Sequence, residues 1–235
     1  MASAAEHTVV WDRPELLALC PPGATAYDAA GAAATPTGTT FRWREVDVAL
    51  SVPGVHNAIN AAGALTAAAL AGAEPARAAG ALAGFRGARR RFQLLGQTAS
   101  GAQVYDDYAH HPTEIDAAIA AARSVRPARV VAVFQPHLYS RTRALAAPLG
   151  RALAAADVGA VLSVYPARER QQDFPGVEGL LVAAAAADAG EGRQMAWLPR
   201  FEDAQRFLSL MLRAGDLCLL MGAGDIDGLG ASLVT

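Results

Sequence analysis

The sequence predicts an α/β protein whose larger, second part is a mainly parallel sheet covered by helices on both faces. Three observations carry this. From residue 103 onward, short runs that are apolar throughout alternate with stretches of helical periodicity, the pattern of strands buried on both faces and joined by crossover helices. Two polar clusters, DDYAHHP (106–112) and FQPHLYSRT (134–142), each fall at the end of such a run, and open parallel sheets bind ligands beyond the carboxyl ends of their strands. The chain has 235 residues, 53% apolar and 18% charged, which suffices for one large or two modest domains with a buried core.

The elements follow in order. HTVVWDRPELLAL reads as a strand and the start of a helix, and residues 21–52, with alternating patches such as TTFRWREVDVAL, predict short antiparallel strands. His56 to Ala83 is alanine-rich with a helical period, broken by Gly72 and Pro75. A boundary is placed in GFRGARRRF (84–92), dividing the chain into residues 1–87 and 88–235. QVYDD (103–107) is then a strand, and Thr113 to Arg126 a helix introduced by Pro112. RVVAVFQ (129–135), AVLSVYP (160–166), MAWLP (195–199) and DLCLLMG (216–222) are further strands. Helices over about 140–155, 177–189 and 201–213 separate them.

Composition excludes several function classes. A net charge of −2 gives no electrostatic footprint for nucleic acid. Cys20 and Cys218 stand in no metal or redox spacing, which fits a reducing compartment. The start MASAAEHTVVWDRPE has no basic region followed by an apolar run, and the greasy stretches are broken by Asp, Glu, Arg or Gly. The expectation is a cytoplasmic chain without a membrane span. All 20 basic residues are arginine; there is no lysine.

In HNAIN (56–60), Asn57 and Asn60 share one helical face, where paired carboxamides suit an adenine edge, or Asn57 caps the helix. Arg89, Arg90 and Arg91 form a basic knot at the boundary that suits phosphate or a carboxylate partner. Within DDYAHHP an aspartate at a strand end suits ribose hydroxyls, or Asp107 caps the following helix. The adjacent His110 and His111 diverge from one stretch of backbone and make a poor metal pair. In FQPHLYSRT, His137, Tyr139 and Arg141 surround a helix start with Ser140 as the expected N-cap, a receptor for a small carboxylate. MGAGDIDGLG (221–230) has glycine spacing but follows the last strand, so a dinucleotide fingerprint is rejected.

Taken together, VPGVHNAINAAGAL, FRGARRRFQLLG, VYDDYAHHPTEI, VFQPHLYSRT, VYPARE and MGAGDI, in this order, resemble the Mur ligases. Within that family the resemblance is to the branch that joins L-alanine to UDP-N-acetylmuramate. The murein tripeptide branch, which lacks an FQPHLYSRT-like segment, comes second. The resemblance implies a Rossmann-like C-terminal domain over 88–235, preceded over 1–87 by part of a central ATPase domain. It implies ATP and Mg²⁺ as cofactors, L-alanine and UDP-N-acetylmuramate as substrates, and an acyl-phosphate intermediate in peptidoglycan precursor synthesis. By the same resemblance His56, Asn57 and Asn60 attend the adenine, Arg91 the nucleotide phosphates and Asp107 the ribose. Tyr108, His110 and Arg141 line the amino-acid and acyl-phosphate side, with His110 and Arg141 catalytic and His137 in support. Leu138 stands where relatives often carry arginine.

The family's phosphate-binding loop, of the G-x-x-G-K-T type, has no counterpart here, and without lysine none is hidden. The family's central metal ligands and its UDP-sugar domain are unmatched too, so no metal ligand is assigned. The expectation is half of a site: a chain inactive alone, with the N-terminal and P-loop domains as partners. The other reading is a noncatalytic module that binds an amino acid or nucleotide or docks on a ligase.

Overall fold

A computed structural model describes residues 6–35 and 37–234, so the leaderless reading of residues 1–15 lies partly outside the described residues. The chain divides into two compact units, at Gly87 and Ala88.

In the first unit, β1 (Val9–Trp11) and β2 (Thr25–Tyr27) pair in parallel, with the short α1 (Pro14–Leu17) between them. β3 (Ala30–Thr35), β4 (Gly38–Trp43) and β5 (Val46–Leu50) form an antiparallel sheet. In β4, Thr39, Phe41 and Trp43 are buried while Thr40 and Arg42 are exposed, the period of two of a sheet with one covered face. The cover is α2 (Val55–Leu70) with α3 (Pro75–Leu82), which buries Ala58, Ala62 and Leu65 against Phe41, Trp43 and Leu50. The indole N–H of Trp43 donates to Thr66 Oγ1 at 2.9 Å, and that hydroxyl donates to Ala62 O at 2.7 Å. The buried polar atoms of this core are thereby satisfied.

Gly54 caps α2 at φ 104°, a conformation L side chains rarely adopt, and a Cβ there would meet the His56 ring at 2.5 Å. Gly54→Ala is therefore expected to destabilise the first unit by about 1–3 kcal/mol, read as a fall in its urea midpoint.

The second unit holds a six-stranded sheet. Its strands are β6 (Gln93–Gln97), β7 (Gln103–Asp107), β8 (Arg129–Phe134), β9 (Val158–Val161), β10 (Gln194–Trp197) and β11 (Asp216–Met221). The spatial order is β10-β9-β8-β11-β7-β6, parallel throughout except for the antiparallel β6 at one edge. Alternation along β8 assigns its two faces. Val130, Ala132 and Phe134 join α4 (Pro112–Ser124), α5 (Tyr139–Leu153) and α6 (Leu180–Ala189) in one core. Val131 and Val133 join α7 (Phe201–Met211) and α8 (Asp227–Leu233) in the other. β11 divides likewise, Leu217, Leu219 and Met221 against Cys218 and Leu220. The mainly parallel α/β architecture is thus what the apolar runs predict. Because β11 returns between β7 and β8, helices leave neighbouring strands on opposite faces and open a crevice at the carboxyl ends of β7, β11 and β8.

The strand after α5 and the edge strand β6 differ from expectation. The run AVLSVYP leaves the sheet early, since β9 ends at Val161. The rest lies back on the exit of β8: Tyr165 N donates to Pro136 O at 2.8 Å and accepts, through its carbonyl, from Leu138 N at 2.9 Å. Leu162 and Val164 stay buried in that loop, which is why apolarity overextends the strand. β6 escapes the periodicity reading because a register shift near Gly96 breaks its alternation.

At the amino end of the sheet, Arg129 clasps buried Asp216, Nη2 to Oδ2 at 2.6 Å and Nε to Oδ1 at 3.0 Å. Burial raises the Asp216 pKa, but the bonds from Arg129 and from Arg213 N outweigh it and hold it below its ordinary value. The folded pKa is depressed, so this carboxylate's stabilisation is present above its unfolded pKa and is lost as pH falls through the folded value. Asp216→Asn is expected to flatten the acid limb of the stability–pH profile below about pH 4, checked by urea unfolding across pH 2–6.

Candidate functional site

Three loops meet at the crevice: residues 108–111 after β7, 135–138 after β8 and 222–226 after β11. With the loop after β9, they bring Tyr108, His110, His137 and Tyr165 into a row. The Tyr108 and His110 rings meet edge-on with centroids 5.5 Å apart, His110 and His137 lie at 6.1 Å, and His137 stacks on Tyr165 at 5.8 Å. Adjacent histidines do diverge: His110 joins this row while His111 is exposed at the start of α4. Glu114 fixes that start by accepting from the N–H of His110 at 2.9 Å and of His111 at 3.2 Å.

Burial lowers the His137 pKa, and the nearby Arg141 and His110 lower it further. His137 Nδ1 and Arg141 Nη1 are both buried with no hydrogen-bond partner. Buried polar atoms without partners are uncommon in folded proteins, and a guanidinium nitrogen in that state suits an oxyanion of a ligand. Ser140 is not the N-cap expected. Leu138 holds that place at φ 68°, and Ser140 instead binds Glu169 through its N–H at 2.9 Å and through its hydroxyl. A carboxylate from the β9 exit loop thus already sits at the amino end of α5, and the bond from the Ser140 hydroxyl leads in holding its pKa down. The anion receptor read from FQPHLYSRT therefore reduces to Arg141 and His137.

The two aspartates of DDYAHHP face different partners. Asp107 is buried and accepts from the N–H of Phe92 through Oδ2 and of Ala109 through Oδ1, both at 2.8 Å. Burial raises its pKa, opposed by these two bonds. It shapes the loop after β7 and does not cap α4. Asp106 is buried too and pairs with Arg90, Nε to Oδ2 at 3.0 Å, while its Oδ1 has no partner. The arginine knot is divided. Arg90 is committed inside the protein, whereas Arg91 is half exposed, over the Tyr108 ring at 5.6 Å and 4.0 Å from a Glu114 carboxylate oxygen. The carboxylate partner read for the arginine knot is thus Asp106, held by Arg90, whereas Glu169 and Tyr165 were not singled out as parts of the site. The motifs VYPARE and MGAGDI, also at strand ends, are the signal that points to those loops.

His56, Asn57 and Asn60 belong to the first unit, in the opening turns of α2. The Asn57 carboxamide donates to Pro53 O at 2.7 Å, tying the helix to the preceding loop, and Asn60 is exposed one turn further on. Among the described residues no group of three or more His, Cys, Asp or Glu could hold a metal ion. No Mg²⁺ site is therefore assigned among the described residues. No helix among them is long and apolar enough to cross a membrane.

Residues 90–224 match the family model of the Mur ligase glutamate ligase domain. The UDP-N-acetylmuramate–L-alanine ligase of Kineococcus radiotolerans is 52% identical over 190 residues, 80% of this chain and 39% of that protein. The ligase of the same name from Chlorobium luteolum is 47% identical over 208 residues, 85% of this chain and 43% of that protein. The chain therefore spans less than half the length of these relatives. Among solved structures, the UDP-N-acetylmuramate-alanine ligase of Thermotoga maritima superposes with a TM-score of 0.76 at 23% identity, over 97% of this chain and 50% of that one. MurF of Acinetobacter baumannii gives 0.72 at 18% identity over 96% and 51%, a likeness of fold. The strand order, the loops gathered at the carboxyl ends of β7, β8 and β11, and a family match over more than half of its length together place this chain in the Mur ligase family.

Proposed function

We propose that this chain supplies the C-terminal part of a UDP-N-acetylmuramate–L-alanine ligase, which joins the two substrates through an acyl phosphate at the cost of ATP, in peptidoglycan precursor synthesis in the cytoplasm. In this reading residues 1–87 are the end of the central ATPase domain and 88–235 the Rossmann-like C-terminal domain. The observation that carries it is the pair of buried, unpartnered nitrogens of His137 and Arg141 beside the Tyr108–His110 pair, in a chain whose relatives bear that name.

Bound ATP supplies the phosphoryl group that activates the muramate carboxyl. The chain's own residues bind and orient. Arg141 pairs with the L-alanine carboxylate or the acyl phosphate, the site where its Nη1 lacks a partner. His137, whose pKa burial and its cationic neighbours lower, supports that contact with a ring nitrogen. His110 and Tyr108 form the adjoining wall, and the half-exposed Arg91 reaches toward nucleotide phosphates. Asp107 meets the ribose with lone pairs left over from the Phe92 and Ala109 bonds. His56, Asn57 and Asn60 attend the adenine. The family's N-terminal and P-loop domains are the partners, and Mg²⁺ would be held by them.

Arg141→Ala is expected to abolish L-alanine binding by the purified chain, or to weaken it about 10-fold or more, as loss of a charge-assisted contact implies. Isothermal titration checks this; unchanged affinity removes Arg141 from the site. The complete absence of lysine keeps a second reading in view, a noncatalytic amino-acid-binding module, under which the same titration succeeds but no complement restores turnover.

A further inference from the structure

Arg90 is tied down at every nitrogen of its guanidinium. Nε donates to Asp106 Oδ2 at 3.0 Å, Nη1 to Gly224 O at 2.8 Å and Nη2 to Gly222 O at 2.8 Å. Nη1 also lies 3.7 Å from Asp227 Oδ1. Its backbone sits at φ 58°, and its carbonyl accepts from Tyr108 N at 2.7 Å. Three of its five N–H donors are thus committed inside the protein.

Both ends of the aromatic row rest on it. At one end its guanidinium lies over the Tyr108 ring, 5.2 Å from the centroid. At the other, the Gly224 it holds is pressed against Tyr165, so closely that a Cβ on Gly224 would come within 2.5 Å of the Tyr165 Cγ. Tyr165 in turn stacks on His137. We propose that Arg90 is the positioning residue of this site, bracing the row Tyr108–His110–His137–Tyr165 from both ends and so fixing the two imidazoles. The purpose of the row rests on the function proposed above; the bracing itself is read from geometry and is tested without any ligand.

The test is an imidazole NMR titration of the whole chain, which has five histidines. The charged groups acting on His137 are Arg141 and Arg168 on the cationic side and Glu169 on the anionic side, with His110 when protonated. The double variant Arg90→Gln/Asp106→Asn removes one cation and one anion together, so net charge is preserved and a change at His137 reports the brace. Loosening the row admits water, and the His137 midpoint is expected to rise by about half a pH unit or more toward its ordinary value. The control is Arg129→Gln/Asp216→Asn, which deletes a comparable buried pair at the amino end of the sheet and should leave His137 unmoved. An unmoved His137 midpoint in the first variant, or an equal shift in the control, overturns the proposal. Should the double variant not fold, Arg90→Lys keeps the charge opposite Asp106 but cannot span the two carbonyls. The same upward shift is then expected, and its absence is again decisive against the brace.

Discussion

Arg90→Ala is expected to lower the stability of the second unit by about 3–5 kcal/mol, the scale on which breaking one side of a buried ion pair acts. Asp106 has a side-chain exposure of 2% and Arg90 of 20%. Burial already raises the Asp106 pKa, with Arg90 as its main cationic support. Removing the guanidinium leaves a buried carboxylate with neither oxygen paired, and also orphans the carbonyls of Gly222 and Gly224. The pair contributes less than that loss suggests, because both charges were desolvated to form it. Asp106→Asn in the same chain is therefore expected to restore part of the stability, by about 1–3 kcal/mol. Urea unfolding followed by circular dichroism reads both. A loss under about 1 kcal/mol for Arg90→Ala contradicts the burial argument.

Mixed with ATP, Mg²⁺, UDP-N-acetylmuramate and L-alanine, the chain alone is expected to release no phosphate and to bind ATP no tighter than the millimolar range. The triphosphate contacts of the family depend on a loop lysine and a cradle of backbone amides, and this chain contains no lysine. Each missing charge-assisted contact forfeits roughly 1.5–3 kcal/mol, so losing several removes orders of magnitude in affinity. Arg91 cannot compensate as a single flexible cation, half exposed and without a nest of amides. Calorimetric titration and a phosphate-release assay check the two halves. Micromolar ATP binding means that arginines have built a phosphate site of their own.

The parallel sheet was legible because its strands are apolar on both faces, and Val130–Phe134 shows why: successive residues enter different cores. The site was legible only as three clusters at strand ends. Which of Asp106 and Asp107 pairs with a side chain, and which with backbone amides, depends on the loop from residue 90 to 92. Two residues there, Arg90 and Phe92, take positive φ, which residue type does not announce. The same turn separates Arg90 from Arg91, identical in sequence and opposite in role. Glu169 at the start of α5 was hidden for another reason. It arrives from a loop 29 residues downstream of Ser140, and no local pattern encodes a cap supplied from that distance.

The central claim is that this chain is the C-terminal part of an L-alanine-adding Mur ligase. The most direct measurement replaces the matching C-terminal segment of the Kineococcus radiotolerans ligase, 52% identical over 190 residues, with this chain, and assays phosphate release that depends on UDP-N-acetylmuramate and L-alanine. The account predicts turnover by the chimera, and its loss by about 100-fold or more on Arg141→Ala, as removal of a charge-stabilising group in a reacting site implies. A folded chimera that binds ATP but makes no UDP-N-acetylmuramoyl-L-alanine, or one indifferent to Arg141→Ala, contradicts it.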